Sequence, residues 1–163
     1  MKINKTDNPG VVLPPPLIYV VLFASSILLH RISPFRWNFL TDTICRWGGP
    51  VFIICSLLLL FASLWRFFES GNTLITFRPS RSLQKTGIYA YTRNPMYLGL
   101  LLLYSGIAFL KGNPWTFILI PFLILIVEVF VIRKEELYLE REYGEDFLTY
   151  KANVRRWFFR RNR

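Results

Sequence analysis

Four apolar blocks separated by polar stretches make up the hydrophobic pattern of this chain. They run from Leu17 to Leu29, from Val51 to Phe68, from Pro95 to Leu110 and from Trp115 to Ile132. Within each block the apolar residues are contiguous, and blocks of this kind with few charges are typical of membrane helices. The pattern therefore predicts an all-α, polytopic membrane protein with about four transmembrane helices.

The start of the third block carries residues with strong positional preferences. Gly87 reaches backbone angles that cost other residues energy, which favours a turn or short extended segment from Gly87 to Arg93. Pro95 has a fixed φ and no N–H group, so it suits the first turn of a helix, and Asn94 is a common N-cap residue. We expect a helix from Pro95 to about Leu110.

Other residues set further helix boundaries. The second helix is expected to begin near Pro50. The fourth is expected to bend at Pro121, to continue through Arg133 to Tyr143, and to end at Gly144.

The basic residues indicate how the chain is oriented. The net charge is +10, and Lys and Arg lie beside the apolar blocks, as expected of flanks that face anionic lipid and not nucleic acid. With four crossings, 16 of the 20 basic residues fall on the side of the two termini and the 66–94 connection, and 4 fall on the other side. This asymmetry predicts that both termini, residues 87–93 and residues 133–150 are cytoplasmic.

Few residues of the chain favour metal or disulfide chemistry. Its cysteines are Cys45 and Cys55, and its histidine is His30, which we interpret as an interfacial polar residue. A zinc site needs three or four ligands, so we predict no metal site and assign no disulfide. Three prolines precede the first apolar block and no small-residue cleavage site follows it, so we expect the N-terminal segment to be retained.

Two carboxylates on the fourth helix are candidates for chemistry. Glu128 and Glu135 are seven residues apart, which places them on one face of a regular helix. A carboxylate inside a membrane segment is costly and by default indicates function. The alternatives are an ion pair near the interface for Glu128, and a solvated helix surface for Glu135 and Glu136.

The polar residues before the third helix complete a candidate site. Arg93, Asn94 and Tyr97 lie at a helix N-terminus, where free N–H groups and the helix dipole attract an anionic group. Together with the carboxylates, such a cluster could hold a zwitterionic ligand. The alternatives are ordinary turn chemistry and an aromatic belt made by Tyr89, Tyr91 and Tyr97.

The two polar segments carry a family resemblance. The segment GIYAYTRNPMYLG, followed after a membrane hairpin by EELYLEREYGEDFLTYK, resembles the integral-membrane methyltransferases that include the isoprenylcysteine carboxyl methyltransferases and the phospholipid methyltransferases. The resemblance covers Thr86 to Lys151 and implies S-adenosylmethionine as cofactor, bound at the cytoplasmic face. Residues 14–16 (PPP) before a span resemble bacterial members, which indicates the bacterial inner membrane.

The resemblance also implies a division of the chain. Residues 1–163 form one membrane domain, with N-terminal helices and a cytoplasmic loop over 1–85. A cofactor-binding methyltransferase core covers 86–151, and a basic tail covers 152–163.

Carried over residue by residue, the resemblance implies cofactor-binding residues from both motifs. They are Thr86, Gly87, Ile88, Tyr89, Arg93, Asn94, Tyr97, Gly99 and Glu135. Within this set, Glu135 is expected to take the methionine ammonium or a ribose hydroxyl, and Asn94 stands where many relatives have histidine.

The catalytic candidates on the acceptor side are Arg133 and Glu128. Val131 stands where isoprenylcysteine enzymes place an arginine, and Arg133 is the nearest arginine. A carboxylate acceptor needs no base, whereas an amine or thiol needs one, for which Glu128 or Glu136 would serve. The acceptor is expected to be lipophilic: isoprenylcysteine-like, a phospholipid, a quinol or a hydrophobic thiol.

Two other functions are compatible with the resemblance. Sterol reductases are similar to this family in their C-terminal half, and a protein of that kind would bind NADPH. A non-catalytic membrane protein that kept the fold would bind neither cofactor.

Overall fold

The computed structural model describes residues 14–38, 40–69 and 82–157, and its regular elements in those ranges are all helical. This confirms the predicted all-α class. Residues 1–13, 39, 70–81 and 158–163 lie outside the described residues, so the predictions made for them stay predictions.

The helices follow one another in the order that the apolar blocks predict. They are α1 (Pro15–Ile32), α2 (Asp42–Glu69), a 3₁₀ turn (Gly87–Ala90), α3 (Pro95–Lys111), α4 (Pro114–Ile118), α5 (Ile120–Val127), a π turn (Glu128–Ile132), α6 (Arg133–Tyr143) and α7 (Glu145–Asn153).

Three helical segments of the described chain are long and apolar enough to cross a membrane: α1, α2, and the segment Pro114–Tyr143 that joins α4 to α6. The third predicted span, α3, is also apolar but has 17 residues, or about 25 Å at 1.5 Å per residue. The chain is an integral membrane protein, and in its described part three long candidate spans pack with one shorter helix, α3.

The start of α2 differs from the prediction. The helix begins at Asp42, eight residues before Pro50, and passes through that proline. Proline removes one hydrogen bond from a helix interior, which made Pro50 look like a boundary. The apolar residues around it pack on α3 and keep the helix continuous.

Small residues at seven-residue spacing let α2 and α3 pack closely. On α2 the buried positions are Gly49, Ser56 and Ser63, and on α3 Gly99 and Gly106 face them. Ser56 Oγ donates a 2.7 Å hydrogen bond to the Gly99 carbonyl. Close backbone approach of this kind drives helix association where lipid removes the hydrophobic effect.

Two contacts of helix α1 show which helix ends lie together in the bundle. Near its start the Tyr19 hydroxyl donates to the Tyr97 carbonyl at 3.0 Å, and near its end Ser26 Oγ lies 3.0 Å from Thr116 Oγ1. The start of α1 therefore lies at the same end of the bundle as the start of α3. The end of α2 and helix α6 also reach this end, as the four-crossing interpretation requires.

The last span is interrupted twice. A turn residue, Leu119, separates α4 from α5 two residues before Pro121, where the bend is expected. The π turn at Glu128–Ile132 then changes the helical register before α6. Helix α6 ends at Gly144, whose φ is 49° and whose N–H donates to the Glu140 carbonyl, as predicted.

Candidate functional site

The turn before α3 is shaped by a glycine. Gly87 has a φ of 62°, and a Cβ atom at this position would lie 2.5 Å from Nε of Arg66 on α2. A larger residue would therefore meet both backbone strain and a steric clash. The glycine allows the Gly87–Ala90 turn to lie close to the end of α2. At this end of α2, Arg66 also forms a 2.7 Å ion pair with Glu69.

The Gly87–Ala90 turn is fastened to α7 by a buried tyrosine pair. The Tyr150 hydroxyl donates a 2.7 Å hydrogen bond to the carbonyl of Tyr89, and both residues are buried. Burial raises the pKa of both hydroxyls. The charge of Glu135 adds to the rise for Tyr89, and the charge of Arg93 opposes it for Tyr150. Both side chains therefore stay neutral.

Glu135 is held by a hydroxyl and not by a cation. The Tyr97 hydroxyl donates to Glu135 Oε1 at 2.6 Å, and the carbonyl of Tyr97 accepts from Tyr19. In the described part of the chain Glu135 forms no ion pair, whereas its neighbour Glu136 forms two. Glu135 is thus a carboxyl group with no counter-ion among the described residues.

Glu136 is the centre of a buried ion cluster. Its side chain is 8% exposed, forms an ion pair with Arg93 (Oε1 to Nη2, 3.1 Å), and accepts hydrogen bonds from Arg156 Nε at 2.9 Å and Arg156 Nη2 at 2.8 Å. The alternative of a solvated helix surface is therefore wrong for Glu136. Hydrogen bonding to Glu136 also raises the pKa of the Arg156 guanidinium.

Glu128 forms ion pairs, as its alternative interpretation predicted. Its Oε1 lies 2.9 Å from Arg156 Nη1 and 3.7 Å from Arg133 Nη2. Glu128 and Glu136 both contact Arg156, whereas Glu135 contacts Tyr97. Glu128 therefore shares a partner with Glu136 and not with Glu135, the residue expected on its face. The prediction of one face for Glu128 and Glu135 is wrong because the π turn between them is wider than an α-helical turn.

Arg93 retains unused hydrogen-bond donors. Its side chain is 10% exposed, and neither Nε nor Nη1 has a hydrogen-bond partner within the described residues. Burial lowers the pKa of this guanidinium and the nearby Glu136 opposes that change. Unsatisfied buried N–H groups are costly, so such donors are expected to meet an acceptor when a ligand is bound.

The N-terminus of α3 is only partly as expected. The helix starts at Pro95 with Asn94 at the N-cap, but the Asn94 side chain makes no capping bond. Its amide instead donates to the Arg156 carbonyl at 3.1 Å, beside a 3.0 Å bond from Thr92 Oγ1 to the same oxygen.

The remaining predicted residues lie around this cluster. Thr86 is exposed and Ile88 half-buried on the Gly87–Ala90 turn, and Arg133 is exposed beside Glu128. Gly99 lies further along α3, where a Cβ would come within 2.7 Å of Leu60 on α2. The structure thus brings Tyr89, Tyr97 and Glu135 together and gives Gly99 a packing contact instead.

Comparison with known proteins identifies the family of the chain. Residues 44–146, from the start of α2 to the start of α7, match the family model described as phospholipid methyltransferase. The chain belongs to the phospholipid methyltransferase family. Membership indicates a membrane methyltransferase that acts on lipid.

A curated relative matches a shorter stretch. An uncharacterized protein of Haemophilus influenzae is 39% identical over 62 residues, which cover 38% of this chain and 98% of that protein. No solved structure matches the chain significantly.

Three residues that contact the candidate site were missed from the sequence: Tyr19, Tyr150 and Arg156. Tyr19 lies in the first apolar block and Tyr150 at the end of the second motif, where each looks like an interfacial aromatic. Arg156 lies in a run of basic residues that reads as a solvated tail, and no local spacing connects it to Glu128 or Glu136.

Proposed function

We propose that this chain is an S-adenosylmethionine-dependent methyltransferase that transfers a methyl group to a lipophilic acceptor at the cytoplasmic membrane face. The observation that carries the proposal is Glu135. Among three neighbouring carboxylates of the last span, Glu128 and Glu136 are paired with arginines, and Glu135 is paired only with the Tyr97 hydroxyl in the described part of the chain. A carboxylate in this setting calls for a cationic ligand.

The residues present fit the methionine end of this cofactor. An ammonium group suits Glu135, and a carboxylate suits the unpaired Nε and Nη1 donors of Arg93. Gly87 is exposed, and its backbone is proposed to contact the cofactor at the Gly87–Ala90 turn. Thr86, Ile88, Tyr89 and Asn94 are proposed to line the same pocket, within a cofactor-binding core over residues 86–151.

The main role of the side chains in this reaction is to position the methyl donor and the acceptor. When bound, S-adenosylmethionine supplies a methyl group already activated on a sulfonium. The task of Glu135, Tyr97 and Arg93 is to hold its binding groups in one orientation so that donor and acceptor are aligned. Tyr19 supports this from α1 by fixing the backbone of Tyr97.

The acceptor decides whether a base is needed. A lipid carboxylate attacks without losing a proton, whereas an amine headgroup must lose one. For an amine acceptor we assign the base to Glu128 or Glu136, both of which are bonded to Arg156. Arg133 is exposed beside Glu128 and is the residue that we assign to the anionic group of a phospholipid or isoprenylcysteine-like acceptor.

The excess of Lys and Arg on one side supports cytoplasmic termini in a bacterial inner membrane. The ends of α2 and α6 and the start of α3 lie at one end of the bundle, which agrees with a site at this face.

Methyl transfer can be measured directly. Detergent-purified protein is incubated with S-adenosylmethionine and either bacterial phospholipid or a farnesylated cysteine derivative, and mass spectrometry detects acceptors that gain one methylene unit. The proposal expects a product with one acceptor class, none from the Glu135→Gln variant, and undiminished product from Glu140→Gln. A folded wild-type protein that methylates neither acceptor class and does not bind S-adenosylhomocysteine contradicts the proposal.

A further inference from the structure

Arg156 makes contacts with two parts of the candidate site at once. Its guanidinium spans Glu128, the first residue of the π turn, and Glu136 on α6, eight residues later, with all three nitrogens engaged at 2.8–2.9 Å. Its backbone carbonyl accepts hydrogen bonds from Thr92 Oγ1 and Asn94 Nδ2 at 3.0 and 3.1 Å. One residue therefore joins the segment before α3 to the last membrane span.

The neighbours of Arg156 hold it in place from both sides. The carbonyl of Arg155 accepts from the Arg93 N–H at 3.0 Å. Trp157 packs against the core cluster that contains Tyr19, Tyr97 and Val131. We call residues 154–157 the C-terminal clasp, because they tie the Thr92–Asn94 segment to the bundle.

We propose that Arg156 is a positioning residue that sets the spacing between Arg93 and Glu135, the two groups assigned to the ends of the zwitterionic ligand. This inference rests on the proposed function. Arg93 is bonded to the clasp through its backbone and to Glu136 through its side chain, and Glu136 is the immediate neighbour of Glu135 on α6. Movement of the clasp therefore moves Arg93 relative to Glu135.

The role is specific to an arginine. A guanidinium presents its donors in a rigid planar fork, which allows bidentate contact with Glu136 while the remaining nitrogen reaches Glu128. A lysine keeps the charge but presents one nitrogen on a flexible stem, and so cannot hold both carboxylates in this geometry. Arg156→Lys thus separates the geometry of the clasp from its charge.

Loss of this geometry is expected to weaken ligand binding without unfolding the bundle. Displacement of binding groups by about 1 Å costs on the order of 100-fold where alignment matters. We expect Arg156→Lys to bind S-adenosylhomocysteine between about tenfold and 100-fold more weakly than the wild type. The matched control is Arg155→Ala, because Arg155 is exposed and contributes to the clasp through its carbonyl, which the variant retains.

The test combines calorimetric titration of detergent-purified variants with hydrogen exchange read by mass spectrometry. In Arg156→Lys, faster exchange is expected in a peptide over residues 86–98, with unchanged exchange over 99–110, where α3 packs on α2. Arg155→Ala is expected to match the wild type in both measurements. A general loss of structure would instead raise exchange in both peptides, and that result would overturn a positioning role.

The outcomes separate this inference from the proposed function. A wild-type protein that fails to bind S-adenosylhomocysteine overturns the proposed function. A wild type that binds, with equal affinity and equal exchange in Arg156→Lys, overturns the role of Arg156 alone. Arg156→Lys is used instead of Arg156→Ala because the lysine keeps the positive charge between Glu128 and Glu136.

Discussion

The contact between α2 and α3 at Gly106 leads to a sharp prediction for Gly106→Ala. A Cβ atom at this position would lie 2.7 Å from Ile53 Cγ1, 3.1 Å from the Ile53 nitrogen and 3.1 Å from the Gly49 oxygen. Two of these three atoms belong to the backbone of α2 and cannot move aside as a side chain does. The helices must therefore separate locally.

The size of the effect follows from two opposing contributions. Overpacking of a close interface costs about 1–3 kcal/mol, while replacing glycine by alanine in a helix returns about 1 kcal/mol through helix propensity. The matched control is Gly48→Ala, where the nearest atom would be Phe109 Cδ1 at 3.4 Å, an ordinary contact. Both variants gain the same propensity, so the difference between them isolates the overlap.

Thermal unfolding in detergent, followed by tryptophan fluorescence, measures this difference. In a protein of this size 1 kcal/mol corresponds to about 2–4 °C, so Gly106→Ala is expected to melt between about 2 and 12 °C below Gly48→Ala. Equal melting temperatures for the two variants would refute the close α2–α3 packing described above.

Three further predictions concern the site. Replacing Glu135 by Gln removes the charge assigned to the ligand ammonium, and since a hydrogen bond to a charged group contributes about 1.5–3 kcal/mol, calorimetry should show a tenfold or greater loss of S-adenosylhomocysteine affinity. Glu140→Gln, on the same helix, should leave that affinity unchanged, and an equal loss in both variants would rule out a specific role for Glu135. In Tyr150→Phe, loss of the 2.7 Å hydrogen bond to the Tyr89 carbonyl should cost about 1–3 kcal/mol and lower the melting temperature, and an unchanged melting temperature would show that the bond contributes nothing. Burial raises the pKa values of Tyr89 and Tyr150, so their contribution to stability is complete below a pH of about 10, where free tyrosine ionises, and is lost as the pH rises further. The melting temperature should therefore fall above that pH, and less steeply in Tyr150→Phe than in the wild type. Equal falls in the melting temperature of the two proteins would contradict this assignment.

Much of the fold could be predicted from local sequence because a membrane helix must satisfy its own backbone groups. Contiguous apolar blocks therefore predicted the helices, and Pro95 and Gly144 predicted two of their ends. Pro50 misled because proline is read as a boundary, whereas packing on α3 outweighs one lost hydrogen bond. The seven-residue spacing of Gly49 and Ser56 was a signal for the α2–α3 contact that could have been used.

The site was harder to predict because its residues depend on register and distance. The π turn cannot be read from apolar composition, so Glu128 was expected to share a face with Glu135. Arg156 lies 20 residues beyond Glu136, and only the fold brings them together. Glu135 itself was identified through the family resemblance, since its surroundings in the sequence resemble a solvated charged helix.

We propose that this member of the phospholipid methyltransferase family holds S-adenosylmethionine between the Gly87–Asn94 segment and Glu135. It is tested most directly by calorimetric titration of the detergent-purified wild-type protein with S-adenosylhomocysteine, with NADPH titrated in parallel. We expect S-adenosylhomocysteine to bind at micromolar strength, about −8 kcal/mol, and NADPH not to bind. Binding of NADPH alone, or of neither ligand by a folded sample, would contradict it.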